Sequence, residues 1–507
     1  MDEGSICAHN DLLMIKKIKK IGLIQNAPLP GDFPNNLRAI VQGYRECLDH
    51  GADIVIAPAA ALCGIEPCAL ANRTSFINQT KDALENLSRE LGSAPLILAA
   101  YTRLISDDEL YIGMVGEEDD VDPWMEKERS VQLVPYLLEK DSVTELENSG
   151  SVNILNTSIY TDTSDDELLP DADYDIMVRM PCTPWYASAA QDDEETRRWE
   201  ASMAGCTMVC CRAVGANGSN IYGGGSGIYS SDGDTLLRLP FFETAAKVID
   251  ITKAAPARHL PQPEELMAQA LERGIRDNVR NNGFIGICIP LDSPNSALLG
   301  ALCVEALGAG NVCGISFEAD NKLAEKLGIT SFNPDIKALL DSATQVLGDD
   351  VAPALTERLK TMLAITHAES RGMMLGSPLG RRQIMLGDFC TYGQSGGHLA
   401  PLGNLYDVDI YLLSEYFKEK YDELFGSLTA PEQGTTNRII HELTDRNTAA
   451  SQLLDEDKNY LFKENDVRFI QRKLVASALK RTQLPVILHV DAPDERNIFP
   501  LTHRLND

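Results

Sequence analysis

Twelve cysteines supply the strongest nucleophiles in this 507-residue chain, and their spacing sorts them. Cys210 and Cys211 are adjacent and Cys63 and Cys68 lie five apart, so neither pair has the spacing of a zinc knuckle. A thiol reacts as its thiolate, beside a base or a cation. Cys63, followed by Glu66, and Cys182 are the two candidates for such a nucleophile; the bland reading of each is a passive buried thiol, and that of Glu66 a solvated loop charge. Thr157 and Ser158 carry hydroxyls that would need an activating base. Two basic pairs, Arg381–Arg382 and Lys480–Arg481, have the charge to meet an anionic ligand, against an alternative as charges at solvated helix ends.

The elements that must position these residues read as alternating strands and helices. Residues 20–26, 53–58 and 96–101 are short apolar strands, separated by helical spacing over 36–50 and 81–91. Strand-like patterning resumes at 131–138, 152–159, 174–180 and 207–214, with an acidic surface loop at 117–122. The stretch 214–234 is dense in Gly, Ser and Asn and predicts turns between two short strands. Further strands fall at 236–239 and 246–251. After a proline-rich linker, 253–263, come a helix over 263–281, a strand at 284–289, a helix over 296–308 and a strand at 312–317, a parallel βαβ pattern. Beyond about residue 405 the chain reads as helical, with a last strand near 485–490. No internal repeat or low-complexity tract interrupts this layered α/β pattern.

Composition bounds the function. The 45 basic and 75 acidic residues give a net charge of −30, which repels phosphate backbones and anionic lipid, so neither nucleic acid nor a membrane is the expected partner. No apolar run reaches the roughly 18 residues of a membrane span. The first twenty residues lack the order of a signal peptide, and unpaired cysteines suit a reducing compartment, so the expected location is the cytoplasm.

Two stretches then become recognisable. GADIVIAP with AAALCGI, together with VGANGSNIYGGGS, resembles the nitrilase-type amidase domain of glutamine-dependent NAD synthetases. SALLGALCVEALGAGNVCGI, with YGQSGGHLAPLGNLYDVDIYLLSEYF and KLVASALKRTQLP, resembles their ATP-dependent synthetase domain. The matches run in the same order from about residue 20 to 504. The resemblance implies an α-β-β-α sandwich over 18–252, the linker 253–263, and an adenine-nucleotide alpha-hydrolase-like parallel-sheet domain over 264–507. It also implies the family's chemistry: glutamine hydrolysis by a Glu-Lys-Cys set, and ammonia attack on deamido-NAD adenylated by ATP with magnesium.

The positions that should carry this chemistry depart from the family pattern. The base after Pro58 is replaced by Ala59. No lysine lies in 132–138, between Lys127 and Lys140. The nucleophile, expected to end the strand near 158, is replaced by Asn156, Thr157 and Ser158. The phosphate loop S-G-G-x-D-S has become PLDSPNS, residues 290–296. That loop has no glycine, Pro294 removes an amide donor, Asp292 adds a negative charge, and Asn295 stands where the family has its aspartate. Asn295 or Ser296 also serves as a helix N-cap. A serine-rich loop after 312–317 is deleted, T-G-N-K-S-E is replaced by SPLGRRQ, and Y-G-D by Tyr392-Gly393-Gln394. Ser296, Thr391, Gly393, Gly397, Lys480 and Arg481 persist, and Arg381 and Arg382 are new.

With both catalytic sets altered, the expectation is a homologue that has lost glutaminase and synthetase activity. It would require no cofactor, with ATP, magnesium and deamido-NAD doubtful as ligands. Its role would be structural, regulatory or ligand-sensing, as a homo-oligomer or in a mixed assembly with an active paralogue. The alternative is residual ammonia-dependent NAD synthetase activity or a new reaction in a remodelled pocket.

Overall fold

The computed structural model describes residues 17–105, 130–164, 173–187, 190–253, 260–318, 322–348, 352–425, 434–454 and 462–490. The acidic loop at 117–122, Lys127 and most of the 253–263 linker lie outside them. The chain divides into two compact units. Met1–Thr183, Asp193–Val214 and Gly224–Arg258 form the first; Pro184–Asp192, Gly215–Gly223 and His259–Asp507 form the second. Among the described residues no helix is long and apolar enough to cross a membrane.

Strands β1 (Lys20–Gln25), β2 (Ile54–Ala59), β3 (Leu96–Ile105), β4 (Ser130–Glu139), β5 (Ser142–Glu145), β6 (Gly150–Ile154), β7 (Thr157–Asp162), β8 (Ile176–Arg179) and β9 (Thr207–Cys210) lead the first unit. After the hairpin β10 (Val214–Asn217) and β11 (Asn220–Gly223) come β12 (Gly227–Tyr229), β13 (Thr235–Arg238) and β14 (Ala245–Asp250). These build two six-stranded sheets, β14-β1-β2-β3-β4-β5 and β13-β12-β9-β8-β7-β6. The middle of each sheet is parallel because its strands are joined by long crossovers, among them helices Phe33–Asp49, Thr74–Glu90 and Ala190–Ala204.

Alternation along each strand sorts the side chains between two faces. Ile21, Leu23, Ile54 and Ile56 of one sheet meet Ile159, Val178, Met180 and Val209 of the other in a shared core. On the outer face of the first sheet, Gly22 makes room for Cys47 of helix Phe33–Asp49; a Cβ at Gly22 would lie 2.9 Å from that side chain. On the outer face of the second, Ala201 of helix Ala190–Ala204 packs with Tyr160, Met177, Met208 and Tyr229. The α-β-β-α sandwich expected from the sequence is present.

The helix Ala190–Ala204 also directs charge inward. Fully buried Arg179 donates to Asp162 at 2.6 Å and to Glu200 at 3.2 Å. Arg197 bonds Glu200 at 2.8 Å, and Asp193 receives Arg197 at 3.4 Å and Arg212 at 2.5 Å. Glu194 accepts from Tyr229 and Thr235 and pairs with Arg238. Burial pushes the Asp193 carboxyl up, but Arg212 and Arg197 outweigh it and hold the group below its ordinary range. Each buried charge thus has an opposite one, without which its desolvation would be prohibitive.

Two expectations are redrawn. The pattern at 152–159 reads as one strand, but Leu155 and Asn156 both adopt left-handed backbone, with φ of 49° and 56°. A two-residue turn with both φ positive matches the twist of a hairpin, and Asn tolerates that geometry. β6 and β7 therefore pair antiparallel, with Ile154 opposite Thr157, and Thr157 and Ser158 open a strand rather than end one. The glycine-rich stretch 214–234 contains three short strands, β10 to β12, where two were expected.

In the second unit, β15 (Gly286–Pro290), β16 (Val312–Ile315), β17 (Thr330–Phe332) and β18 (Met373–Leu375) form a parallel sheet in the order β17-β16-β15-β18. Helix Ala352–Ser370 sets Ala364 and Ala368 against Cys288, Cys313 and Ile315 on one face. On the other, Gly300 of helix Ser296–Leu307 abuts Leu327 and Ile289. Helix Pro263–Asn281 carries the β10–β11 hairpin, with Asp277 accepting the Ala216 amide at 2.9 Å. A separate core of Ile384, Met385, Ile439, Leu443, Val467 and Ile470 organises the C-terminal helices. There β19 (Leu399–Ala400) pairs with β20 (Val486–Ile487).

Replacing Arg179 by Ala leaves the buried Asp162 carboxylate without its cation and leaves Glu200 with Arg197 alone. The expected cost is about 3–5 kcal/mol of first-unit stability, read as a lowered denaturant midpoint; an unchanged midpoint would show that the network contributes nothing net.

Candidate functional site

The order β17-β16-β15-β18 places a topological switch point between β15 and β18, and ligands of open parallel sheets bind at the carboxyl ends beside such a point. A cleft of about 240 Å³ lies there, lined among others by Pro290, Asp292, Phe317, Lys360, Gln383 and Gln394.

The loop from Pro290 to Ser296 is stitched onto its own surroundings. The Ser296 hydroxyl donates to the Pro290 carbonyl at 2.7 Å and accepts the Ser293 N–H at 3.1 Å. The Leu291 N–H donates to the Ile315 carbonyl at 2.8 Å. Asp292 reaches to the end of β16, where one oxygen accepts the Ser316 hydroxyl at 2.5 Å and the other the Phe317 N–H at 2.7 Å. Asn295 precedes the helix, yet its side chain makes no cap bond; its amide instead donates to the Pro378 carbonyl at 3.0 Å. The N-cap expectation is corrected accordingly: Ser296 is the first helical residue, and both side chains fasten loops.

A phosphate cradle needs converging N–H groups that are free to donate. Here those of Leu291, Ser293 and Ser296 are spent inside the chain, and Pro294 has none. The charged groups lining the cleft are Asp292, Glu357, Lys360 and Asp388, three carboxylates against one ammonium. Lys360 lies 3.6 Å from Glu357 and over the Phe317 ring. These groups do not fit a nucleoside triphosphate with its magnesium. Among the described residues, no three His, Cys, Asp or Glu side chains are grouped to hold a metal ion.

Ser296, Thr391, Gly393, Lys480, Arg481, Arg381 and Arg382 are absent from the cleft lining. Lys480 donates to the carbonyls of Gly387 and Phe389 at 2.8 and 2.9 Å. Arg481 is buried, donates to the Leu474 and Met385 carbonyls at 2.9 and 3.2 Å, and burial holds its pKa below the usual value. Arg381 pairs with Asp445 and covers the Tyr406 ring, and Arg382 bonds Asp407 at 2.6 Å. The Thr391 carbonyl accepts Arg358 at 3.2 Å. Gly393 sits in a turn where a Cβ would come within 2.9 Å of Cys390. All of these residues have structural partners. Sequence reasoning missed Glu357, Lys360 and Thr361, which share one face of helix Ala352–Ser370 with Ala364 at helical spacing; that periodicity is the signal that marks them.

In the first unit, the segment from Ala59 through Cys63 is at most 1% exposed. Gly64, at φ 96°, packs so tightly on Pro30 that a Cβ would stand 2.2 Å from its Cα. The position of the expected base has been absorbed into core. Burial pushes the Cys63 thiol up to about 12. Burial, then the nearby Cys63 and Glu66, push Cys182 to about 12 as well. Neither is a thiolate at neutral pH. The Ser158 hydroxyl donates to Asp175 at 3.1 Å, a carboxylate neighbour that sequence reasoning missed. The Ser158 N–H and Lys17 hold Asp175 below its ordinary range, so it is a weak base.

A family model described as NAD synthase matches residues 267–433. The glutamine-dependent NAD(+) synthetase of Thermotoga maritima is 22% identical over 467 residues, covering 78% of this chain and 80% of that protein. The enzyme of the same name from Synechocystis sp. is 24% identical over 455 residues, covering 79% and 81%. A solved glutamine-dependent NAD(+) synthetase from Cytophaga hutchinsonii shares the fold with a TM-score of 0.79 at 13% identity, covering 96% of this chain and 98% of that one. An α-β-β-α sandwich unit followed by a parallel-sheet unit with a switch-point cleft is the architecture shared with that solved structure. Over most of its length the chain is similar to glutamine-dependent NAD(+) synthetases, and its second unit carries the match to the NAD synthase family model.

Raised thiol pKa values keep Cys63 and Cys182 protonated throughout pH 7–9. Iodoacetamide at pH 8, followed by peptide mass mapping, should label exposed Cys68 well before either. Labelling of Cys63 or Cys182 at the Cys68 rate would reinstate an activated thiol.

Proposed function

We propose that this protein has lost both glutaminase and synthetase chemistry and acts in the cytoplasm as a structural, regulatory or ligand-sensing protein. It works as a homo-oligomer or in a mixed assembly with an active paralogue, and requires no cofactor of its own. The observation that carries this reading is the Asp292 carboxylate held against Ser316 and Phe317 at the ends of β15 and β16. An anion fixed there repels the γ- and β-phosphates that a synthetase must hold. The absorbed Ala59 segment and the protonated thiols support the same conclusion for the amidase half. The retained cleft favours the ligand-sensing form, with a small molecule bound and not turned over.

The test is an endpoint mass-spectrometric assay with ATP, magnesium, deamido-NAD and either glutamine or ammonium, following glutamate, AMP and NAD beside an active relative. The expected result is none of the three products. NAD formed from ammonium alone would overturn the reading in favour of a working synthetase half. Calorimetry with ATP, NAD and deamido-NAD then separates the roles, since heat with any of them assigns a sensor and no heat leaves a structural one.

A further inference from the structure

Two cysteines of the second unit face each other across adjacent strands. Cys288 of β15 and Cys313 of β16 are direct partners in the parallel register, so both side chains leave the same face of the sheet. Helix Ala352–Ser370 covers that face, and the two cysteines share a buried cluster there with Ala364, Ala368, Met373 and Leu375. Neighbouring strands lie about 4.8 Å apart. That spacing falls inside the range of about 4.4–6.8 Å found between the Cα atoms of a disulfide. Both thiols are free in this structure.

The surroundings single out Cys313 as the reactive member. A hydrogen bond from Cys288, with Thr330 and His367 alongside, outweighs burial and holds the Cys313 thiol below its ordinary range. The same hydrogen bond, and then burial, push Cys288 up, so the pair keeps one proton on Cys288 and leaves the thiolate on Cys313. His367 stacks flat on Phe332, with ring centroids 4.0 Å apart and its Nε2 enclosed and otherwise unpartnered. An imidazole so placed can hold the proton that Cys313 gives up. Access comes from the edge of the sheet. Thr330, the partner of Cys313 on edge strand β17, is exposed, and Cys313 is itself 4% exposed where Cys288 is 0%. Cys303, in helix Ser296–Leu307 on the opposite face, has no such setting, and burial alone pushes its thiol up.

We propose that Cys313 and Cys288 form an oxidisable dithiol whose substrate is a small hydroperoxide. The Cys313 thiolate attacks the hydroxyl oxygen of the peroxide. An S–O bond forms as the O–O bond breaks, sulfur is oxidised to the sulfenic acid, and the departing oxygen takes the proton from His367 and leaves as water or an alcohol. The Cys288 thiol then attacks the oxidised sulfur. An S–S bond forms, the S–O bond breaks, and hydroxide leaves with the Cys288 proton as water. Oxidation of Cys313 removes the acceptor that kept the Cys288 proton in place, which frees the second thiol to attack. The site stands whether or not the cleft binds a ligand.

The test is oxidation of the full chain with hydrogen peroxide at neutral pH, followed by N-ethylmaleimide under denaturing conditions and peptide mapping. Trypsin leaves Cys288, Cys303 and Cys313 on one peptide, whereas cleavage before Asp292 and after Glu305 puts each on its own. The expected product is a Cys288–Cys313 disulfide that dithiothreitol reverses. It should form at least about tenfold faster than exposed Cys68 is oxidised, because ionisation outweighs access, and Cys303 should stay reduced. In Cys288→Ala the sulfenic acid at Cys313 lacks a resolving thiol and should be captured by dimedone. Oxidation of Cys68 with Cys288 and Cys313 still reduced would overturn the site, a result read on the wild-type chain and independent of how the variant folds. A Cys313 sulfenic acid that persists in the wild-type chain would overturn the pairing with Cys288.

Discussion

The ends of two parallel strands are tied together in this protein by one carboxylate. In an open parallel sheet the loops leaving the carboxyl ends diverge at the switch point, and their polar groups are satisfied either by a ligand or by the chain. Asp292 supplies the second solution, accepting the Ser316 hydroxyl and the Phe317 N–H. The loop it anchors is closed further by Ser296 on Pro290 and by Asn295 on Pro378. Gln383 in turn accepts the Gly380 N–H beneath the same loop. The shape of the cleft therefore needs no bound anion.

The first unit shows a related economy. Between its sheets lies an apolar core that includes Ala59, and the segment that follows, through Cys63, is buried as well. Outside the second sheet, six arginine and carboxylate pairings among the described residues involve or adjoin helix Ala190–Ala204. Charge is placed where opposite charge meets it, and the thiols sit where burial suppresses ionisation.

Basic residues in the second unit have the same character. Lys480 and Arg481 satisfy carbonyls at the ends of helices Arg381–Leu386 and Glu464–Ala476, a placement that favours cations at helix C-termini. Arg381 and Arg382 hold carboxylates of neighbouring helices.

Much of this was legible in the sequence because it is local or periodic. The alternation of buried strands and amphipathic helices is written in residue type and spacing, and the sandwich followed by a parallel sheet was legible through the family resemblance. The turn at Leu155–Asn156 was not, because a continuous alternating pattern does not reveal where two adjacent residues adopt positive φ. Nor could spacing assign the fates of individual charges. Arg381 finds Asp445 sixty-four residues away and Ser158 finds Asp175 seventeen away; Asp292 meets Ser316 only because β15 and β16 lie side by side. Residue type and period set which segments form strands and helices and which faces they bury. Hydrogen-bond partners, ionisation and exposure are long-range properties, decided only when the tertiary structure brings distant groups within a few ångströms and removes water from between them.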